Sequence, residues 1–170
     1  MHSAGIVSLI DGDFAGTTID DCHVSSDFYA HSSLSGDASF AGIAGNVNPG
    51  CQQDPAIKNC SFTGSINGPA NRSSGLVGYT NRHISFEHCM FDAKMTPNAP
   101  ELATYVRQAP GVQCSFKECY RTFMMGQPQG EGVFDKVKVE GGTCEILSEP
   151  TIDFNGHKYW QSGAQITGKP

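Results

Sequence analysis

The stretch Ile57-Lys58-Asn59-Cys60-Ser61-Phe62-Thr63-Gly64-Ser65-Ile66 decides the fold of this chain. From Cys60 to Ile66 every second residue is apolar or small, which is the pattern of a β-strand with one buried face. The next apolar residue upstream, Ile57, stands three positions before Cys60, so the alternation breaks across a polar pair. One extra residue moves the buried face to the other side of a strand. The pattern therefore predicts a short strand, a polar corner and a second strand.

Three other segments carry the same pattern around a cysteine: Ile19–Val24, Phe86–Phe91 and Phe116–Arg121. Each cysteine segment is preceded by a short block of apolar and small residues. These blocks are Ala4–Val7, Ala41–Ala44, Ser74–Val77 and Ala103–Val106. A weaker fifth copy comprises Gly132-Val133-Phe134 and then Cys144-Glu145-Ile146. Two matching blocks that recur in the same order indicate an internal repeat.

Short strands that recur about every 30 residues are typical of a parallel β-solenoid, in which each coil stacks only on its neighbours. Helix-pair repeats share the period but need apolar residues three and four positions apart, which these segments lack. We predict an all-β fold with a β-solenoid of about five coils over residues 1–147. Strands that flank Asn155-Gly156 predict a capping hairpin within residues 148–170. The alternative is a β-sandwich of meandering hairpins, which gives no reason for a cysteine at one register in every copy.

Cys22, Cys60, Cys89 and Cys119 occupy one inward column in this fold. Stacked neighbours lie about 4.8 Å apart, whereas a disulfide needs Cβ atoms within about 3.5–4.5 Å. We therefore expect reduced, buried thiols, with at least one bridge among them as the alternative and Cys51 as the accessible cysteine. No Cys-x-x-Cys or Cys/His pair recurs at ligand spacing, so neither a metal site nor a cofactor is expected.

The residues two positions before each of these cysteines alternate in charge. They are Asp20, Lys58, Glu87 and Lys117. Opposite charges on neighbouring strands attract, and the column predicts a charge ladder on the surface that keeps the repeats in register.

The composition excludes two classes of partner. The chain has 170 residues, with 11 lysines and arginines against 17 aspartates and glutamates, and a net charge of −6. Binding to phosphate backbones needs clustered basic residues, so no nucleic-acid partner is expected. No run approaches 18 apolar residues, so no membrane insertion is expected either.

The block Gly75-Leu76-Val77-Gly78-Tyr79, together with Ile57–Ile66, resembles the GLUG-type repeat of bacterial surface and adhesin-like proteins. The resemblance covers residues 4–125 and is best in the second and third copies. Asp21 and Glu118 depart from the asparagine of that pattern, and Tyr105 and Arg107 interrupt its glycine block. The resemblance implies a right-handed parallel β-helix at the cell surface, outside the cell, with a binding role and no catalytic residues.

Loops of variable length on a rigid scaffold are where recognition usually resides, which makes residues 29–40, 67–73 and 96–102 candidate binding loops. The candidate binding side chains are aromatic or basic: Tyr29, Tyr79, Arg82, Arg121, Tyr159 and Trp160. Tyr79 is not required by the repeat, and its ring is either a sugar-stacking platform or packs against the adjacent loop at Asn71-Arg72. The expected partner is a glycan or a protein on a host or bacterial surface. The alternatives are a polysaccharide-degrading β-helix enzyme and a structural spacer without a ligand.

Overall fold

The computed structural model describes residues 1–12, 16–30, 38–67, 73–96, 103–121, 137–140, 152–154, 157–162 and 165–169, with side chains described up to residue 121. Throughout this part of the chain the regular secondary structure consists of β-strands, and no helix is present. The predicted all-β class is confirmed.

Four successive repeats supply the strands of residues 2–121 in the described ranges. Repeat 1 contains β1 (His2–Ala4), β2 (Val7–Ile10), β3 (Thr18–Asp20) and β4 (His23–Tyr29). Repeat 2 contains β5 (Ser39–Ala41), β6 (Ala44–Val47), β7 (Ala56–Lys58) and β8 (Ser61–Asn67). Repeat 3 contains β9 (Val77–Thr80), β10 (Ser85–Glu87) and β11 (Met90–Thr96), and repeat 4 contains β12 (Val106–Gln108), β13 (Cys114–Lys117) and β14 (Tyr120–Arg121). Beyond them lie β15 (Val137–Glu140), β16 (Ile152–Phe154), β17 (His157–Ser162) and β18 (Gln165–Lys169).

Equivalent strands of successive repeats pair side by side in parallel sheets. One sheet has the order β3-β7-β10-β13-β15, a second β4-β8-β11-β14, a third β2-β6-β9-β12, and a short fourth β1-β5. Equivalent residues of successive repeats pair with each other: Ile57 pairs with Ile19 and with Phe86, and Phe86 also pairs with Phe116. A β-sandwich needs antiparallel neighbours, whereas each pair among β1–β15 in the described chain is parallel.

The predicted polar corner is present in each of the four repeats, directly before the cysteine. The corner residue has a left-handed backbone: Asp21 (φ 53°), Asn59 (φ 49°), His88 (φ 49°) and Glu118 (φ 50°). Asn, Asp and His enter this conformation more often than other side chains. This preference explains the polar residues of the corner, with the glutamate of repeat 4 as the exception.

Glycines of the upstream block make room for the core residue that follows the cysteine. A Cβ atom added to Gly42 would overlap the Cβ, Cγ and Cδ1 atoms of Phe62, and one added to Gly75 would overlap the ring of Phe91. Both rings are fully buried, so each ring fits only because its glycine has no side chain. Ser74 forms a β-bridge with Ala103, so Thr104 stands in repeat 4 where Gly75 stands in repeat 3. Arg121 pairs with Phe91 and replaces the apolar residue of that position. The two departures from the pattern occur together.

The cysteine column is confirmed as a set of free thiols. Cys60, Cys89 and Cys119 are fully buried, and the six described cysteines form no disulfide. Each thiol donates to the carbonyl oxygen two residues earlier, as from Cys60 Sγ to Lys58 O at 2.9 Å. Burial raises the pKa of Cys60 to about 12. Cys22 is only half-buried because repeat 1 lies at the end of the stack.

The prediction that Cys51 is accessible is wrong, because its side chain is 5% exposed and belongs to the main apolar cluster. Cys51 and Pro55 are buried, whereas the three residues between them are exposed. The loop from β6 to β7 therefore turns its apolar side chains towards the core and its polar ones towards solvent.

The charge ladder is also present. Glu87 accepts from Lys117 Nζ at 2.9 Å and lies 3.3 Å from Lys58 Nζ. Hydrogen bonds from Lys117 and then Lys58 lower the pKa of the Glu87 carboxyl. At the amino-terminal end of the ladder, Asp20 Oδ1 accepts a hydrogen bond from Asn59 Nδ2 at 2.8 Å.

A separate antiparallel sheet with the order β16-β17-β18 lies near the carboxyl terminus. β16 pairs with β17 on either side of Asn155-Gly156, as predicted, and β18 adds a third strand that the sequence did not predict. The predicted fifth copy at residues 132–134 and 144–146 lies outside the described residues, although β15 continues the column of β13.

Candidate functional site

The outward side of the sheet of β4, β8 and β11 carries a regular array of polar side chains, here called the polar face. The three strands have seven residues each and pair in register over their whole length. Alternate residues of these strands point into the core, so the remaining ones point to solvent. The polar face consists of Ser25, Asp27, Tyr29, Thr63, Ser65, Asn67, Asp92, Lys94 and Thr96. Its rows lie about 4.8 Å apart across the strands and about 7 Å apart along them.

Hydrogen bonds between neighbouring strands hold the polar face in one arrangement. Ser65 Oγ donates to Asp27 Oδ1 at 2.5 Å and accepts from Asn67 Nδ2 at 2.7 Å. Thr96 Oγ1 donates to Asn67 Oδ1, also at 2.7 Å. A chain of bonds thus runs across all three strands, which fixes these side chains before any ligand arrives and lowers the entropy lost on binding.

Tyr29 stands at one corner of the polar face. It is 77% exposed, the highest value among the large apolar and aromatic side chains described. It pairs in register with Asn67, which in turn pairs with Thr96. An exposed ring beside fixed hydrogen-bonding groups offers an apolar surface for one face of a sugar and polar partners for its hydroxyl groups.

A hydrogen-bonded relay of Asp21, His23 and Ser61 borders the polar face. His23 Nδ1 lies 2.8 Å from Ser61 Oγ, and His23 Nε2 lies 3.2 Å from Asp21 Oδ1. An aspartate, a histidine and a serine in this order can activate the hydroxyl oxygen as a nucleophile. Ser61 is only 5% exposed, however, and its backbone N–H donates to Cys22 O, so it does not face a substrate or an oxyanion. This geometry favours a structural relay that ties repeat 1 to repeat 2.

Tyr79 lies on a different sheet from Tyr29, in β9. The Arg107 guanidinium carbon is 6.0 Å from the centre of the Tyr79 ring, within reach of a cation–π interaction. The ring is half-buried and pairs in register with Asn46. The structure therefore does not bring Tyr79 and Tyr29 into one site.

Arg82 and Arg121 are both partly buried, and neither belongs to the outward residues of the polar face. Arg82 donates to Asp54 Oδ1 at 2.7 Å and to Gln52 O at 3.0 Å, which links two loops. Arg121 lies in β14, in the same sheet as the polar face, but it pairs with the buried Phe91 and so occupies a core-facing register position.

Tyr159 and Trp160 lie in β17, and their side chains fall outside the described part of the chain. The same holds for most of the predicted binding loops, namely residues 31–37, 68–72 and 97–102.

The sequence contains a pattern that predicts the polar face as a whole, beyond its individual aromatic and basic residues. The third, fifth and seventh residues after Cys22, Cys60 and Cys89 are polar in all three copies. Parity alone places these residues outward. The relay of Asp21, His23 and Ser61 has a related signal, because His23 and Ser61 directly follow Cys22 and Cys60 and pair in register.

Within the described residues, no three histidine, cysteine, aspartate or glutamate side chains meet as metal ligands would. No described segment forms a helix of the length and apolar character that crossing a membrane requires. Comparison of the whole chain with family models, with curated proteins and with solved structures finds no match.

Proposed function

We propose that this chain is a non-catalytic module of GLUG-type repeats from a bacterial cell-surface protein, and that it binds a glycan on the polar face. The proposed architecture is a right-handed parallel β-solenoid of about five coils with a carboxyl-terminal capping hairpin. The observation that carries the binding role is the in-register array of fixed polar groups beside the exposed ring of Tyr29.

The parallel pairing of each repeat with the next supports the solenoid. The four described repeats, together with β15 next to β13, support a count of about five coils. Parallel strands joined by a crossover are right-handed in about 98% of cases, which supports the proposed hand. The antiparallel sheet of β16, β17 and β18 supplies strands for a cap.

The chemistry of the polar face favours a glycan over other ligands. Sugars present hydroxyl groups at short intervals along an extended chain, and hydroxyl, amide and carboxylate groups are their natural hydrogen-bond partners. Asp27, Ser65, Asn67 and Thr96 provide all three types in one bonded chain. The exposed ring of Tyr29 adds a stacking surface.

The arrangement of the acids favours binding over glycoside hydrolysis. Glycosidases act with a pair of carboxyl groups on either side of the sugar bond. On the polar face Asp27 and Asp92 lie on β4 and β11 with β8 between them, and Asp27 Oδ1 accepts a hydrogen bond from Ser65, as a fixed binding group does. The relay of Asp21, His23 and Ser61 contains the residue types needed to hydrolyse an ester on an acetylated polysaccharide, but its serine is buried, which favours the structural role.

A glycan array followed by titration calorimetry tests the binding role. We expect Tyr29→Ala to weaken the best array hit about 2- to 13-fold, which corresponds to the ~0.5–1.5 kcal/mol of an aromatic contact. Asn67→Ala should also weaken it, because it breaks the bonded chain. The matched control is Tyr79→Ala, which removes a tyrosine from another sheet and should leave the affinity unchanged.

Three results would contradict the proposal. Loss of affinity in Tyr79→Ala but not in Tyr29→Ala would move the site to the sheet of β9. Turnover of an acetylated polysaccharide that Ser61→Ala abolishes would make the protein an esterase. Absence of binding to every glycan would leave the role of a structural spacer.

A further inference from the structure

On the polar face, the charge nearest to the exposed ring of Tyr29 is negative. Asp27 precedes Tyr29 by two residues on β4, and both side chains are exposed on the outward side of the strand. Residues two positions apart on one side of a strand lie about 7 Å from each other. A ligand group that stands over the ring of Tyr29 therefore also lies near the carboxylate of Asp27.

The basic residue of the polar face is farther from the ring. Lys94 lies on β11 in the same row as Asp27, with Ser65 of the uncharged strand β8 between them. Two strand spacings separate the backbones by about 10 Å, which exceeds the Debye length of about 8 Å in physiological salt. Asp92, two residues from Lys94 on the same strand, also opposes the charge of the lysine. Among the charges of the polar face, Asp27 therefore acts most strongly on a group at the ring.

Asp27 is held in place and still offers an acceptor to a ligand. Its Oδ1 atom accepts from Ser65 Oγ at 2.5 Å, and within the described residues no hydrogen bond reaches its Oδ2 atom. Ser65 is fixed in turn by Asn67 Nδ2. A carboxylate with one oxygen bound and the other open can pair with a cationic group and keep the partner that orients it.

An aromatic ring beside a carboxylate is suited to a positively charged ligand group. The face of a tyrosine ring attracts a cation within about 6 Å of its centre, and a carboxylate accepts strong hydrogen bonds from an ammonium group. Uronic acids and sulfated sugars would instead bring a negative charge next to Asp27, in a chain whose net charge is −6. The charges at this corner of the polar face thus favour a cationic sugar over an acidic one.

We propose that the glycan bound on the polar face is built of amino sugars whose protonated amine pairs with Asp27, while the ring of one sugar unit stacks on Tyr29. Hydroxyl groups of the same glycan meet Asn67 and Thr96 on the neighbouring strands. This inference rests on the proposed glycan-binding role and adds the charge class of the glycan to it.

Two oligosaccharides of equal length and linkage test the charge class. Tetraglucosamine carries protonated amines at pH 5.5, and tetra-N-acetylglucosamine carries neutral amides at the same positions. Titration calorimetry with the full chain should show that tetraglucosamine binds about 5-fold more tightly, as an exposed ion pair together with a cation–π contact allows.

Two variants assign this preference to Asp27. Asp27→Asn keeps an oxygen that can accept from Ser65 and should bind both oligosaccharides equally, with the affinity for the acetylated one unchanged. The matched control is Glu118→Gln, which removes one negative charge from the exposed corner of repeat 4, outside the polar face, and should keep the 5-fold preference.

The outcomes separate this inference from the role on which it rests. Equal affinities in the unmodified chain, a preference that survives Asp27→Asn, or a tighter neutral or acidic glycan would overturn the charge class, and glycan binding would stand. A trilysine peptide that binds as tightly as tetraglucosamine and is weakened by Asp27→Asn would also overturn it, because the partner would then be a basic peptide. Absence of binding to every glycan, whatever its charge, would overturn the glycan-binding role itself.

Discussion

Replacing Gly42 with alanine tests how the glycine block and the cysteine segment of a repeat depend on each other. The added Cβ atom would overlap three atoms of Phe62, including its Cβ atom, which is fixed to the backbone. The Phe62 ring is fully buried and lies between Phe28 and Phe91, with ring centres 5.8 and 6.3 Å away, so it has no space to move into. Overpacking of a core costs about 1–3 kcal/mol. We expect the upper end, about 3 kcal/mol, or a fall in melting temperature of about 6–12 °C for a chain of this size.

Urea unfolding monitored by circular dichroism measures this loss. The matched control is Gly50→Ala, whose nearest neighbour is the flexible carboxylate of Asp11 at 3.0 Å and whose free energy of unfolding should change by less than about 0.5 kcal/mol. The double variant Gly42→Ala/Phe62→Ala should lose less stability than the sum of the single variants, because the two side chains compete for the same space. Equal stability of Gly42→Ala and Gly50→Ala would refute this account of the glycine column.

Three further predictions concern the core, the thiols and the ladder. Phe91→Ala should lower the free energy of unfolding by about 3–5 kcal/mol, because the ring of Phe91 is fully buried. Phe28→Ala should lower it clearly less, because Phe28 in repeat 1 is only partly buried. Equal losses in urea unfolding would mean that repeat 1 is as well covered as repeat 3. Among the six described cysteines, Cys22 should react first with a thiol reagent at pH 8. Burial excludes the reagent from the other five and raises the pKa of several of them. Peptide mapping by mass spectrometry identifies the modified cysteine. The Glu87 carboxyl should titrate below its usual pKa in NMR experiments, and Lys117→Gln should raise that pKa. Because folding lowers the pKa of Glu87, the ionised carboxylate stabilises the fold above its unfolded pKa, and this stabilisation is lost as the pH falls through the folded pKa. A Glu87 pKa that does not respond to Lys117→Gln would contradict the pairing of the two side chains.

Much of the fold follows from the sequence, because the residue pattern repeats. Parity around Cys60 separates inward from outward residues, and the break at Lys58-Asn59 marks the corner that the left-handed backbone of Asn59 forms. Alternating charge at the ladder positions predicts the ion pairs of Glu87. These features depend on neighbours a few residues away or on equivalent positions one repeat away, and a repeat makes both visible in one dimension.

The candidate site was predictable only in part. Tyr29 was among the expected residues, and the structure places it on the polar face, but Tyr79 lies on another sheet and Arg82 is bound to Asp54. The sequence does not show which sheet an outward residue joins, because that depends on how the chain turns between β-strands of the same repeat.

The sequence by itself determined the β-strands, the corners, the buried thiol column and the order of charges, since each is set by residue type at a fixed repeat position. Only the tertiary structure decided that Cys51 is buried and that Gly42 leaves room for the ring of Phe62. These contacts link a loop to the core and one strand of a repeat to another strand of the same repeat. They depend on how the chain turns between β-strands, and the loops that make those turns differ in length and sequence from repeat to repeat.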